Sequence, residues 1–269
     1  MSNIATVNAL ITAINFDRFP EIEALHAPHA RFVSFRGPVL RDSSAIADWH
    51  RKFLVDYADC NYAEIEYIED GATVAIRATL EAKGYDWRPF TQRVVETFAF
   101  DDTGEVVDRR LYGMLRNIEL GKEAAAAMKE AEGFKGGSAS STRSAVTAFY
   151  DALMSGDREA ALAAFTSRPA LIDGVNGIVT GGENILDFLA ALPAPMMGQL
   201  RVTGILAGDH DALVELAIDP SRPRFAAWVR TIDGKIAVIE RHAMLRELGV
   251  NPFENLASDR HARSPIFPG

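Results

Sequence analysis

Val146-Thr147-Ala148-Phe149-Tyr150, followed by the polar break Ser155-Gly156-Asp157-Arg158, repeats a phrase already used near the start of the chain. There, Val7-Asn8-Ala9-Leu10-Ile11 precedes Asn15-Phe16-Asp17-Arg18. Each apolar run predicts an amphipathic helix. Each Asp is placed to cap a second short helix by accepting from N–H groups that lack a partner in the first turn. A strand-like stretch comes next (Ala30–Phe35; Ala170–Val175), then a glycine turn at Gly37 or Gly177. A third helix follows, with Ile46, Trp49 and Phe53 in one copy and Ile185, Phe188 and Leu192 in the other at helical spacing. Both halves then turn to strands, ending on Tyr112-Gly113-Met114-Leu115-Arg116 and His242-Ala243-Met244-Leu245-Arg246. One such match is chance; the same features in the same order twice are a duplication.

The 269 residues therefore divide into a first domain over 1–118, a linker over 119–141, a second domain over 142–249 and a tail over 250–269. In the linker, the Ala-, Glu- and Lys-rich stretch 119–132 predicts a solvated helix, and the glycines and serines of 134–141 predict a flexible connection. A hydrophobic fraction of 48% and a charged fraction of 24% fit a globular protein with a core in each half. The net charge of −9 weighs against a nucleic-acid partner or an anionic membrane. The single Cys60 cannot form an internal disulfide, the first residues lack a signal-peptide pattern, and no apolar run approaches the ~20 residues of a spanning helix. A cytoplasmic protein is the expectation.

Helix, helix, hairpin, helix and four strands, with Gly234-Lys235-Ile236 before the last strand and Leu245-Arg246-Glu247-Leu248-Gly249 after it, resemble the SnoaL-like polyketide cyclase branch of the nuclear transport factor 2-like superfamily. The resemblance covers about residues 3–118 and 142–249. It implies an α+β fold of two tandem cone-shaped barrels, each a curved mixed sheet with three helices around a mostly apolar pocket. It also implies a pseudo-dimer within one chain, with a homodimer allowed. Function is less constrained, because this superfamily holds cyclases, dehydratases, isomerases, epoxide hydrolases and binders.

Strand alternation nominates the site residues. On the last strand of the first half, Val106, Asp108, Arg110, Tyr112 and Met114 form one set. If that set faces the cavity, Asp108 is a general base held ionised by Arg110, and Tyr112 donates to a developing oxyanion. A salt bridge at a strand edge is the plainer alternative. His50 shares a helix face with Ile46, Trp49, Phe53 and Tyr57, and its imidazole suits proton transfer or simple hydrogen bonding. Glu96 alternates with Val94 and Phe98, where an inward carboxylate needs a partner. Tyr85 and Trp87, in a hairpin longer than its counterpart, could rim a pocket for a planar ligand.

In the second half the set Ile236, Val238, Glu240, His242 and Met244 contains an acid–base pair. The resemblance places the family's acid/base carboxylate at Glu240. Leu189 replaces His50, so chemistry through that histidine belongs to the first half. His26-Ala27-Pro28-His29 has metal-ligand spacing, but Pro28 breaks the helix that would align the rings. Gly181-Gly182 lacks the rest of a phosphate loop, and Cys60 lacks a context that marks it as reactive. The expected function is a lyase or isomerase, without cofactor or metal, acting on a small apolar oxygenated molecule. A non-catalytic ligand binder is the first alternative. A hydrolase resembling limonene epoxide hydrolase is the second, with Asp108 and Arg110 as part of an Asp–Arg–Asp relay.

Overall fold

The structure is a computed structural model that describes residues 2–34, 39–56, 58–83, 89–114, 118–192, 200–219 and 222–244. The described residues form two compact units, one of those up to residue 114 together with residue 244, the other of those within 118–243.

Unit 1 begins with α1 (Asn3–Asn15), capped by the Ser2 hydroxyl accepting from the Ala5 N–H, with Val7, Leu10, Ile11 and Ile14 on its buried face. Helix α2 (Phe19–Ala24) starts differently from expectation. Asp17 takes a left-handed φ of 57° and makes no cap; Arg18 is the N-cap, and Pro20 supplies the preset first turn. Strand β1 (His26–Val33), the short β2 (Val39–Leu40) and α3 (Ser43–Asp56) follow. Then come β3 (Ala58–Asp70), β4 (Thr73–Lys83), β5 (Pro89–Phe100) and β6 (Val106–Gly113). The sheet order is β2-β1-β6-β5-β4-β3, antiparallel except for the β1–β6 pair. Helices α1 and α3 pack on one sheet face, which presents Val74, Ile76, Ala78, Leu80, Val94 and Phe98 as a buried surface.

Unit 2 opens with α4 (Lys122–Gly133). This helix is not solvated all round: Ala124, Ala127, Met128 and Ala131 form a buried stripe, and it packs on strand β7 (Phe165–Asp173). Small side chains on one face let a charged helix lie close to a sheet. Helix α5 (Ala139–Ser155) starts at a capping box in which Ser138 and Ser141 bond reciprocally. The residues before it are held by Gly137, at φ +107°, where a Cβ would collide with the Asp209 carbonyl oxygen. Gly137→Ala is therefore expected to lower stability by more than about 1 kcal/mol, read as a fall in the denaturant midpoint at unchanged m-value. Then follow α6 (Arg158–Ala163), capped as expected by Asp157, β8 (Gly177–Thr180), α7 (Gly182–Ala191), β9 (Arg201–Ala207), β10 (Asp211–Asp219), β11 (Arg222–Ile232) and β12 (Lys235–Ala243).

The order of unit 2, β8-β7-β12-β11-β10-β9, repeats that of unit 1, again with one parallel pair, β7–β12. Even the irregularities recur. His26 pairs with Val106 and Phe165 with Ile236, and in both copies the register then shifts before the next pair. Phe32 comes to lie opposite Arg109, and Leu171 opposite Ile239. Both β1 and β7 begin several residues earlier than their apolar runs suggest, because pairing resumes on the far side of that shift. No helix among the described residues is long and apolar enough to cross a membrane.

Candidate functional site

A one-residue irregularity decides what faces the interior of unit 1. Phe100 pairs with Val106, but Ala99 pairs with Asp108, so Val107 is an extra residue on β6. A slip of one residue exchanges the faces of everything beyond it. Val106 stays inward with Phe100, while Asp108, Arg110 and Tyr112 turn to the other face, opposite Ala99, Thr97 and Val95. The condition for Asp108 and Tyr112 to act in the cavity, that their strand set faces the interior, is therefore not met. Asp108 is part-exposed, accepting from Arg110 Nε at 2.6 Å and lying 3.4 Å from Arg31 Nη1. Tyr112 is buried on that same face.

The inward residue is Arg109, opposite Phe98 on β5 and Phe32 on β1. Its side chain is wholly buried. A guanidinium out of water needs a counter-charge, and Arg109 Nε donates to Glu96 Oε1 at 2.5 Å, with both side chains at 0% exposure. The planar head lies 4.6 Å from the centre of the Phe32 ring and 5.5 Å from that of Phe98. Arg109 Nη1 bonds His50 Nε2 at 2.8 Å. Since guanidinium only donates, Nε2 accepts, and the imidazole is the neutral tautomer with its proton on Nδ1. Burial, then the Arg109 charge, then the neighbouring His26 push the His50 pKa well below its usual 6.5.

Three further groups complete the set. Tyr62, on β3, donates to Glu96 Oε2 at 3.3 Å. Burial raises the Glu96 pKa even though Arg109 and Tyr62 favour its ionised form. Burial and Glu96 together push the Tyr62 phenol well above 10, so it remains a donor. His26, at the start of β1, donates from Nδ1 to the Ile22 carbonyl at 2.7 Å. Burial and the Arg109 charge lower its pKa to about 4. Two atoms of this cluster are buried without a hydrogen-bond partner: Arg109 Nη2, a donor, and His26 Nε2, an acceptor. Buried polar groups are normally paired, so each of these two atoms has capacity for one further hydrogen bond.

Aromatic rings wall the cluster. Phe32 stacks on His50 at 6.1 Å, Trp49 meets both edge-on, and Phe53 stacks on Trp49 at 5.0 Å. Of the residues nominated from sequence, His50, Trp49, Phe53, Glu96 and Phe98 thus come together here. Asp108, Arg110 and Tyr112 do not, and Tyr57, Tyr85 and Trp87 lie outside the described residues. Arg109 and Tyr62 were missed. A buried Glu96 calls for a cation on the adjacent strand, but counting back from the turn names the wrong residue unless the extra Val107 is known.

Unit 2 carries the same irregularity: Thr231 pairs with Ile236, but Arg230 pairs with Val238, leaving Ala237 extra. The expected single face from Ile236 to Met244 is again split. Glu240 and His242 do form a buried pair, Oε1 to Nε2 3.1 Å, yet they lie on the face opposite Arg241. The face of Arg241 is the one on which α5 packs, through Thr142 and Thr231. At the positions matching Glu96, Arg109, His50 and His26 stand Ala227, Ile239, Leu189 and Phe165, all buried and all apolar. The inward Arg241 is ion-paired with Asp173, whose other carboxylate oxygen accepts from Val175 and Asn176 and so pins the β7–β8 turn. A cavity of about 710 Å³ lies among α5, α6 and α7 and is lined mainly by apolar residues, Leu189 among them. Its charged liners are already engaged: Arg158 pairs with Glu183 and Asp187, and Asp157 caps α6. Among the described residues, no cluster of three His, Cys, Asp or Glu could hold a metal ion.

Residues 7–109 match the SnoaL-like domain family. No curated protein matches the chain. Among solved structures, an NTF2-like protein of unknown function from Burkholderia pseudomallei is 21% identical, covering 42% of this chain and 92% of its own, with a TM-score of 0.39. A candidate polyketide cyclase from Pseudomonas putida is 17% identical over 42% of this chain and 91% of its own, with a TM-score of 0.39. A protein with a ketosteroid isomerase-like fold from Catenulispora acidiphila, solved with trimethylamine, is 16% identical over 40% and 83%, with a TM-score of 0.38.

Proposed function

We propose, taking residues 7–109 as a SnoaL-like domain, that unit 1 is an acid–base enzyme of the lyase or isomerase type for a small, apolar, oxygenated molecule. One observation carries this reading: a neutral, buried His50 bonded to a guanidinium whose Nη2 has no partner. A ligand carbonyl oxygen accepts from Arg109 Nη2. As Arg109 Nη1 turns its N–H from His50 Nε2 to the developing oxyanion, the freed lone pair takes the proton of the adjacent C–H, and the bonding pair moves onto oxygen as an enolate. With a β,γ-unsaturated ketone the His50 proton returns at the γ-carbon in an isomerisation; with a β-hydroxy ketone it passes to the hydroxyl, which leaves as water as the enolate collapses to the enone.

The electrostatics favour both halves of that step together. Arg109 is the charge that disfavours the protonated His50. A negative oxygen on Arg109 cancels much of that field, so enolate formation and His50 protonation support one another. Glu96 and the Phe32 face hold the guanidinium in place. Positioned acid–base groups supply about 10²–10⁴-fold.

The test follows α-proton exchange of small enolisable ketones such as 2-tetralone in D₂O by NMR. Wild type is expected to accelerate exchange, and His50→Leu to reduce that acceleration at least about 100-fold. Leucine already occupies this place in unit 2, as Leu189, so the variant should fold. Asp108→Asn and Glu240→Gln should leave the rate alone. Full activity in His50→Leu would sink the reading. The second reading, a non-catalytic ligand binder, draws on the apolar cavity of unit 2, which lacks an equivalent of the polar cluster. Tight binding of 2-tetralone without exchange would favour it.

A further inference from the structure

His26 is not needed where it stands for packing. Its counterpart in the second copy is Phe165, at the same point of the register and equally buried, so the fold accepts a plain ring there. Histidine at this place brings instead a fixed tautomer. The Ile22 carbonyl can only accept, so Nδ1 carries the proton and Nε2 presents a lone pair. That lone pair is buried and unpartnered, a state that costs stability until a donor reaches it. The Arg109 charge acts on His26 and on His50, and His26 in turn acts on His50; His26 pairs with the inward Val106, on the face that Arg109 occupies.

We infer that His26 is a specificity-determining residue whose Nε2 accepts a hydrogen bond from a hydroxyl of the bound molecule, so that the site selects phenols, enols or alcohols over their ethers and hydrocarbons. Two buried orphans of opposite kind, the Arg109 Nη2 donor and the His26 Nε2 acceptor, match an oxygen that both accepts and donates. A ketone or ether satisfies only the first. An ammonium group is disfavoured as donor, because the Arg109 charge opposes a second cation. This assignment rests on the reading of Arg109 as the oxygen-binding group, and the variants below separate the two.

The probes are 2-naphthol and 2-methoxynaphthalene, equal in ring system and differing in the donor. Calorimetric titration of wild type is expected to show the naphthol binding at least tenfold more tightly. In His26→Phe that preference should fall to near unity, with the ether's affinity unchanged. His26→Gln, which restores an acceptor, should recover part of the preference. Equal affinities in wild type, no binding of either probe, or a preference that survives His26→Phe would each overturn the assignment. Arg109→Ile should weaken both probes alike. If it weakens neither while the His26 effect stands, the reading of Arg109 fails and the hydroxyl contact remains.

Discussion

Glu96→Ala is expected to destabilise unit 1 by about 3–5 kcal/mol, the usual consequence of leaving one partner of a buried ion pair alone. Arg109 has no water to turn to: it is wholly buried, and its Nη2 is already unpartnered. Arg109→Ile alone should also be costly, though less so, because a buried carboxylate with a raised pKa can take up a proton and become neutral. The double variant Glu96→Ala/Arg109→Ile is expected to recover about 2 kcal/mol or more of the summed losses. Unit 2 makes that expectation concrete, since it packs Ala227 and Ile239 at the same two places. Urea unfolding of the four proteins gives the coupling energy directly. A coupling near zero would mean that the pair does not interact as described.

The second large effect is on acid stability. A histidine that the fold keeps neutral takes its proton in the unfolded chain first. The pKa of His26 drops from an ordinary 6.5 to about 4 on folding, so its contribution is fully present above pH 6.5. It is lost as the pH falls from 6.5 to about 4, and levels off below, where the folded state is protonated too. That gap corresponds to about 3 kcal/mol. His50, lowered by the same causes, adds in the same direction. Glu96 runs the other way: its raised pKa makes the folded state take up a proton first as pH falls, which offsets part of the loss. His26→Phe removes one of the two histidine contributions. Its unfolding free energy should therefore fall less steeply between pH 6.5 and 4 than that of wild type. Parallel slopes would show that His26 is not kept neutral by burial.

Much of the scaffold was open to reading in one dimension. Val7-Asn8-Ala9-Leu10-Ile11 and its later echo signalled α1 and α5 because helical periodicity is a local property. Asp157 capped α6 as its spacing suggested, whereas Asp17 did not cap α2, since its left-handed backbone hands the cap position to Arg18. His50, Trp49 and Phe53 were legible as one helical stripe, and Glu96 as a carboxylate that needs company.

The identity of that company was not legible. Alternation along β6 defines two sets of side chains but says nothing about which is inside when both are largely buried. Duplication, element types and the absence of the His50 group from the second copy follow from local pattern and could be read residue by residue. The inward turn of Arg109, and with it the outward turn of Asp108 and Glu240, hangs on a single extra residue, Val107 in one copy and Ala237 in the other. Where such a residue falls is settled by how neighbouring strands pair across the sheet, an interaction between distant segments that no short stretch of sequence contains.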